Sequence, residues 1–135
     1  MQFVDTNIFL RHLTGDDLSK AQACLTLFKQ AQQNQIQLTT SETVIAEIVY
    51  ILSSKTLYNL SREQIRVRLD PLLSLPGLKL PYRQTYQRAL ELYVSHSIDF
   101  EDALAIAHME RDGISEIYSY DRDFDKTSSV KRLEP

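Results

Sequence analysis

A single cysteine, Cys24, leaves this chain unable to close an internal disulfide or to assemble a cysteine-based zinc site. A reducing compartment is consistent with that. Glycine and proline are also scarce, three and four in 135 residues, and none of them cluster into a linker. No internal boundary, repeat or low-complexity stretch is found, so the length and the 43% hydrophobic content predict one domain spanning 1–135. No apolar run approaches about 18 residues, the length that crosses a bilayer, and the N-terminus has neither a basic region nor a signal-type apolar core. A cytoplasmic protein without membrane contact is therefore expected. Positive charge is not in excess: the net charge is −3 and the pI about 5.6. The field of the whole molecule does not favour nucleic acid, and any chemistry on RNA or DNA must rely on bound cations and a local basic patch. Nucleotide fingerprints are missing too. Neither a Gly-x-x-x-x-Gly-Lys loop nor a Gly-x-Gly-x-x-Gly turn occurs, and His12, His96 and His108 show no H-E-x-x-H spacing.

The sequence does contain strand-like runs that end in carboxylates. Met1-Gln2-Phe3-Val4 leads into Asp5-Thr6-Asn7, and Ile117-Tyr118-Ser119-Tyr120 leads into Asp121-Arg122-Asp123. Further strands are predicted at 36–39, 78–80 and 130–133. Between them lie helical patterns. A short helix from Ile8 stops at Thr14-Gly15, and a longer one capped by Asp16 or Asp17 buries Leu18, Ala21, Leu25 and Phe28. Ser41 opens a third, with Val44, Ile45, Ile48, Val49, Ile51 and Leu52 inward. Ser61-Arg62-Glu63-Gln64 has capping-box spacing and starts a fourth. Helices from about Arg83 to His96 and from Asp99 to Asp112-Gly113 complete the set. Alternation of this kind implies an α/β fold with a mainly parallel sheet, in which ligands bind beyond the carboxyl ends of the strands.

Each acidic candidate carries two readings. Glu47 lies beside the apolar stripe of its helix, where it either bonds Tyr50 at the stripe's edge or serves a site. Asp102 either completes a capping box with Asp99 or is carried inward by a helix whose Ala103, Ala105 and Ala107 permit close approach to a sheet. Asp99 is read first as a plain cap. Asp121, Asp123 and Asp125 alternate in the manner of a calcium loop, but Lys126 and Arg132 occupy positions that require glycine and glutamate. Turn formation explains all three; for a site, Asp121 is preferred, then Asp123, with Asp125 solvated.

Taken together, Asp5-Thr6-Asn7, Ala46-Glu47-Ile48-Val49-Tyr50, Asp99 to Leu104 and Ser119 to Phe124 resemble the PIN-domain family, and within it the VapC-type ribonuclease toxins of toxin–antitoxin pairs. The resemblance covers nearly the whole chain. It implies a three-layer α/β/α sandwich in which Asp5, Glu47, Asp102 and Asp121 bind Mg²⁺ or Mn²⁺ for endonucleolytic RNA cleavage. Asp123 is a further ligand candidate, and Thr6, Asn7, Asp99 and Ser119 take supporting roles. Ser119 stands where the family usually has Thr, which keeps the hydroxyl. A cognate antitoxin and a homodimer are implied as partners.

The chemistry agrees with the residue types. Crowded carboxylates tend to hold protons unless a hard cation neutralises them, and Mg²⁺ takes oxygen ligands while keeping several waters. Arg11, Lys55, Arg62 and Arg66 are candidates to guide an RNA backbone, and a solvated helix face explains the last two equally well. Two other readings differ in class. A PIN-like domain that binds without cutting is disfavoured by intact acids at all four positions. A Mg²⁺-dependent phosphatase wants a second aspartate two residues after the first, where this chain has Asn7.

Overall fold

Gln2–Phe3 forms the first strand, β1, in the computed structural model, which describes residues 1–135. The chain divides into two units by its internal contacts, Met1–Arg83 and Gln84–Pro135.

In the first unit β1 runs parallel to β2 (Leu38–Thr39), with Gln2 opposite Leu38 and Phe3 opposite Thr39. The strand expected at 78–80 contracts to one parallel bridge, Leu38 to Leu78. Two backbone bonds of 2.7 Å hold it, from Leu38 N–H to the Gly77 carbonyl and from Lys79 N–H to the Leu38 carbonyl. Pro76 and Pro81 flank the segment and lack the N–H that a longer ladder needs. Helix α1 (Thr6–Thr14) begins two residues before the expected start, because Asp5 already takes the extended backbone of an N-cap. It packs against α2 (Leu18–Gln32) and α3 (Glu42–Ser53), and α3 packs against α4 (Arg62–Leu73). Phe9, Ile45, Ile48, Leu52, Ile65, Leu69 and Leu78 lose all their exposure in this core, and the Phe9 and Phe28 rings lie 5.3 Å apart.

One expected stripe is displaced. Leu18, the first residue of α2, is 84% exposed, and the buried positions are Cys24, Phe28 and Ala31, spaced by four and three residues. The caps follow expectation. Asp17 accepts from Lys20 N–H, Ser41 from Val44 N–H, and Ser61 with Gln64 forms a complete capping box. Each supplies an acceptor to an N–H that has no partner within the helix. Ser61→Ala should therefore lower stability by about 1 kcal/mol, read as a lower urea midpoint at unchanged slope, and Ser61→Asp should restore most of it.

The second unit takes up α5 (Arg83–Ser95) beyond its first residue and continues with α6 (Phe100–Asp112). Gly113 ends α6 at φ 71, a left-handed conformation that costs glycine little. Strand β3 (Glu116–Tyr118) pairs in parallel with β4 (Lys131–Leu133), Ile117 opposite Arg132. The strand stops before the expected Tyr120, since the chain turns at Asp121 into a 3-10 turn, Arg122–Lys126. Leu90, Leu92, Ile98, Ala103 and Ile106 are fully buried, and the Tyr93 and Phe100 rings meet edge-on at 5.9 Å. Arg88 clasps Glu110 at 2.8 and 3.2 Å, and Ser129 donates to the same carboxylate, tying α5, α6 and the approach to β4 together. Both ladders are parallel and helices dominate the rest, in keeping with an α/β chain. No helix is long and apolar enough to cross a membrane.

Candidate metal centre

The two units present separate groups of candidate residues. In the first, Val4 is buried at the end of β1 and the next residue, Asp5, is exposed. Asp5 occupies the N-cap of α1, yet its side chain makes no capping bond, so the carboxylate is not committed to the helix. Thr6 is buried, 4% exposed, and its hydroxyl donates to Glu47 Oε2 at 2.7 Å. Asn7 is exposed. Glu47 is exposed as well, contrary to the expectation of a stripe-edge position: it shares the outer face of α3 with Thr43 and Tyr50 while Val44 and Ile48 turn inward. Its partner is Thr6, not Tyr50. That bond spans 41 positions in sequence and brings the Glu47 carboxylate to the residue that follows Asp5.

In the second unit Asp99, Asp102 and Asp123 each point a carboxylate oxygen into one small space, with the three atoms within 4.8 Å of one another. Asp99 has the backbone of an N-cap for α6, but its side chain caps nothing, and no capping box forms with Asp102. The reading of Asp99 as a plain cap is therefore corrected: the carboxylate faces the other two acids. Burial, followed by the charge and hydrogen bond of Asp121 and the charges of Asp99 and Asp123, pushes the Asp102 carboxyl up to about 6.

Asp121 and Asp123 divide the work expected of the last motif. The Ser119 hydroxyl accepts from Asp121 N–H at 3.0 Å, and Asp121 Oδ1 accepts from Asp123 N–H at 2.9 Å. Asp123 enters the trio, whereas Asp121 holds its backbone and adds charge beside Asp102. Asp125 is exposed and pairs with Arg132 at 3.2 Å. Lys126, which the sequence motifs do not single out, lies 3.0 Å from Asp123 Oδ1. Its signal was the i,i+3 spacing to an aspartate. Other nucleophile or ligand candidates recede. Cys24 is buried and its thiol is pushed up by that burial, while His12 is set edge-on to Phe28 and lowered by burial.

Three oxygens at this separation, one belonging to an acid whose ionisation is opposed by burial and by its acidic neighbours, suit a hard divalent cation. Nitrogen and sulfur donors are missing from the group, which argues against zinc.

An α/β chain with parallel strands and clustered aspartates matches the PIN domain family model over residues 3–130, and the chain belongs to that family. It is also similar to the VapC ribonuclease of Aquifex aeolicus (strain VF5), with 28% identity over 126 residues, 93% of this chain and 91% of the relative.

Proposed function

We propose that this chain is a Mg²⁺- or Mn²⁺-dependent endoribonuclease, the toxin of a toxin–antitoxin pair, acting in the cytoplasm where its RNA substrate is made. The observation that carries the reading is the Asp99, Asp102 and Asp123 group, in which burial and the neighbouring acids push the Asp102 carboxyl up to about 6. The similarity to a ribonuclease over nearly the whole chain supports the substrate class. On this reading Asp5, Glu47, Asp102 and Asp121 are catalytic, Asp123 joins them as a metal ligand, and Thr6, Asn7, Asp99 and Ser119 support them. The same proposal makes the chain one domain with a three-layer α/β/α arrangement; the family match running through both units supports it.

The residues contribute in distinct ways. Thr6 orients the Glu47 carboxylate, and Ser119 and Asp121 hold the Asp123 backbone in place. Asp102, raised to about 6, is mostly ionised at neutral pH, and a positive charge beside it would favour that form further. A divalent cation held by these carboxylates would supply that charge, lower the pKa of an attacking water and offset the growing negative charge on the phosphate. Water adds to phosphorus as the bond to the leaving ribose oxygen breaks, so no redox partner or nucleotide cofactor is called for. Arg11 on α1, Lys55 after α3, and Arg62 and Arg66 on α4 are the proposed guides for the RNA backbone. The assembly is read as a homodimer restrained by an antitoxin whose basic side chain pairs with the acidic residues. Leu57 and Val67, 60% and 71% exposed, are apolar surface suited to a protein contact.

The test is cleavage of RNA by the purified chain with Mg²⁺ or Mn²⁺, with and without EDTA, alongside expression in cells alone or with its upstream neighbour. Metal-dependent cutting and growth arrest relieved by the neighbour are expected. Cutting that continues in EDTA rules out the mechanism; harmless expression together with an inactive purified protein favours a domain that binds without cutting.

A further inference from the structure

One side chain ties both ends of the segment that carries Asp121 and Asp123. Arg132 lies on β4 opposite Ile117, and its guanidinium reaches back to the end of β3. Nη1 donates to the Ser119 carbonyl at 3.0 Å, two residues before Asp121. Nε donates to the two oxygens of Asp125 at 3.2 and 3.4 Å, two residues after Asp123. The arginine side chain is only 13% exposed. Glu134, 3.5 Å from Nη1 and largely in solvent, is a loose third partner.

Ser119 passes the first tie on to the acids. Its N–H donates to the Leu133 carbonyl at 3.0 Å, its carbonyl accepts from Arg132, and its hydroxyl accepts from Asp121 N–H at 3.0 Å. Two of its polar groups are thus held by β4 and the third holds Asp121. Asp121 Oδ1 in turn accepts from Asp123 N–H at 2.9 Å, and Asp123 places a carboxylate oxygen within 4.8 Å of those of Asp99 and Asp102. Phe124 is the one buried side chain of the 3-10 turn and anchors its middle, so polar bonds rather than packing fix the two ends.

We propose that Arg132 is a positioning residue of the acidic centre: by clasping Ser119 and Asp125 it fixes where the Asp121 and Asp123 carboxylates point, acting through them rather than on RNA or metal. The inference rests on the metal-dependent reading above and leaves the roles of Asp5 and Glu47 there unchanged. Lysine is not an equivalent. A planar guanidinium carries donors on separate nitrogens at fixed angles, so both ties hold together, whereas an ammonium is one point of charge on a flexible stem.

The full-length protein supplies the test, with Mn²⁺ affinity titrated through the spin signal of the free ion. Affinity should fall on the order of tenfold in Arg132→Met, the lower end of the range for loss of a supporting partner, and by less in Arg132→Lys. In RNA cleavage at fixed Mn²⁺, kcat should fall while KM for RNA stays, and raising Mn²⁺ should recover most of the lost kcat. A merely structural role would lower the urea midpoint and leave the Mn²⁺ affinity of the folded protein where it was. Asp125→Asn, at an exposed position, cuts one tie without disturbing β4 and should weaken Mn²⁺ binding in the same direction by less; it carries the test if Arg132→Met does not fold. Wild-type Mn²⁺ affinity in every folded variant overturns the positioning role and leaves the metal-dependent reading intact. A wild type that binds no Mn²⁺ overturns both.

Discussion

Asp102→Asn is expected to abolish RNA cleavage while making the metal-free protein more stable. The substitution keeps the shape of the side chain and removes one negative charge from the crowded group, together with a proposed ligand. Loss of a supporting partner at a metal site already costs about 10- to 100-fold, so loss of a ligand should exceed a hundredfold. The stability effect has the opposite sign. Asp102 titrates near 3.8 in the unfolded chain and near 6 in the folded one, so the folded state favours the protonated form. That contribution is fully present below the unfolded value and is lost as pH rises through about 6. At neutral pH the ionised carboxylate opposes folding, and asparagine removes the opposition. The side chain is only partly buried, and solvent screening reduces the gain to about 1 kcal/mol, a few degrees in melting temperature. Mn²⁺ should raise the wild-type melting temperature by binding the folded state, and should raise that of the variant less. Melting curves in EDTA and in Mn²⁺ at acid and neutral pH measure all of this. A variant that cuts RNA normally, or that is less stable than wild type without metal at neutral pH, contradicts the assignment.

Gly77→Ala should lose about 3 kcal/mol or more of stability, far beyond an ordinary glycine-to-alanine change. A methyl group there would lie 2.5 Å from the Ile36 carbonyl oxygen, 2.6 Å from that of Ala31 and 2.8 Å from the Ala31 Cα. All three are backbone atoms that no rotamer change can move. The same residue donates its N–H to the Ala31 carbonyl at 2.8 Å and accepts from Leu38 N–H at 2.7 Å, so the chain cannot shift without losing the link between the end of α2 and β2. Gly113→Ala is the comparison, because its side chain would meet open space and only the positive φ is costly, about 1 kcal/mol. Urea midpoints distinguish the two. Equal losses at both positions would mean that the close approach at Gly77 is not what constrains it.

Several parts of this protein were legible from residues close together in the chain. Ser61 and Gln64 satisfy each other's backbone N–H groups across three positions, a bond that needs no other part of the molecule. Gly113 follows α6 for the same local reason, and Asp5 at the end of an apolar run already marks where a strand hands over to a helix. Strand lengths were less so, since a ladder is as long as its partner permits and prolines on either side shorten it.

The acids divide along the same line. By itself the sequence determined which carboxylates exist, that Asp5 and Asp121 end apolar runs, and that the set belongs with PIN domains, because order and spacing along the chain carry that information. Only the tertiary structure decided that Thr6 rather than Tyr50 holds Glu47, that Asp99 leaves its helix uncapped to face Asp102 and Asp123, and that Lys126 comes to rest between Asp123 and Ser97. Those choices turn on charges and hydrogen-bonding groups brought together by loop closure and core packing, whose balance no local pattern encodes, and on burial, which together with the neighbouring aspartates makes the Asp102 carboxyl reluctant to ionise.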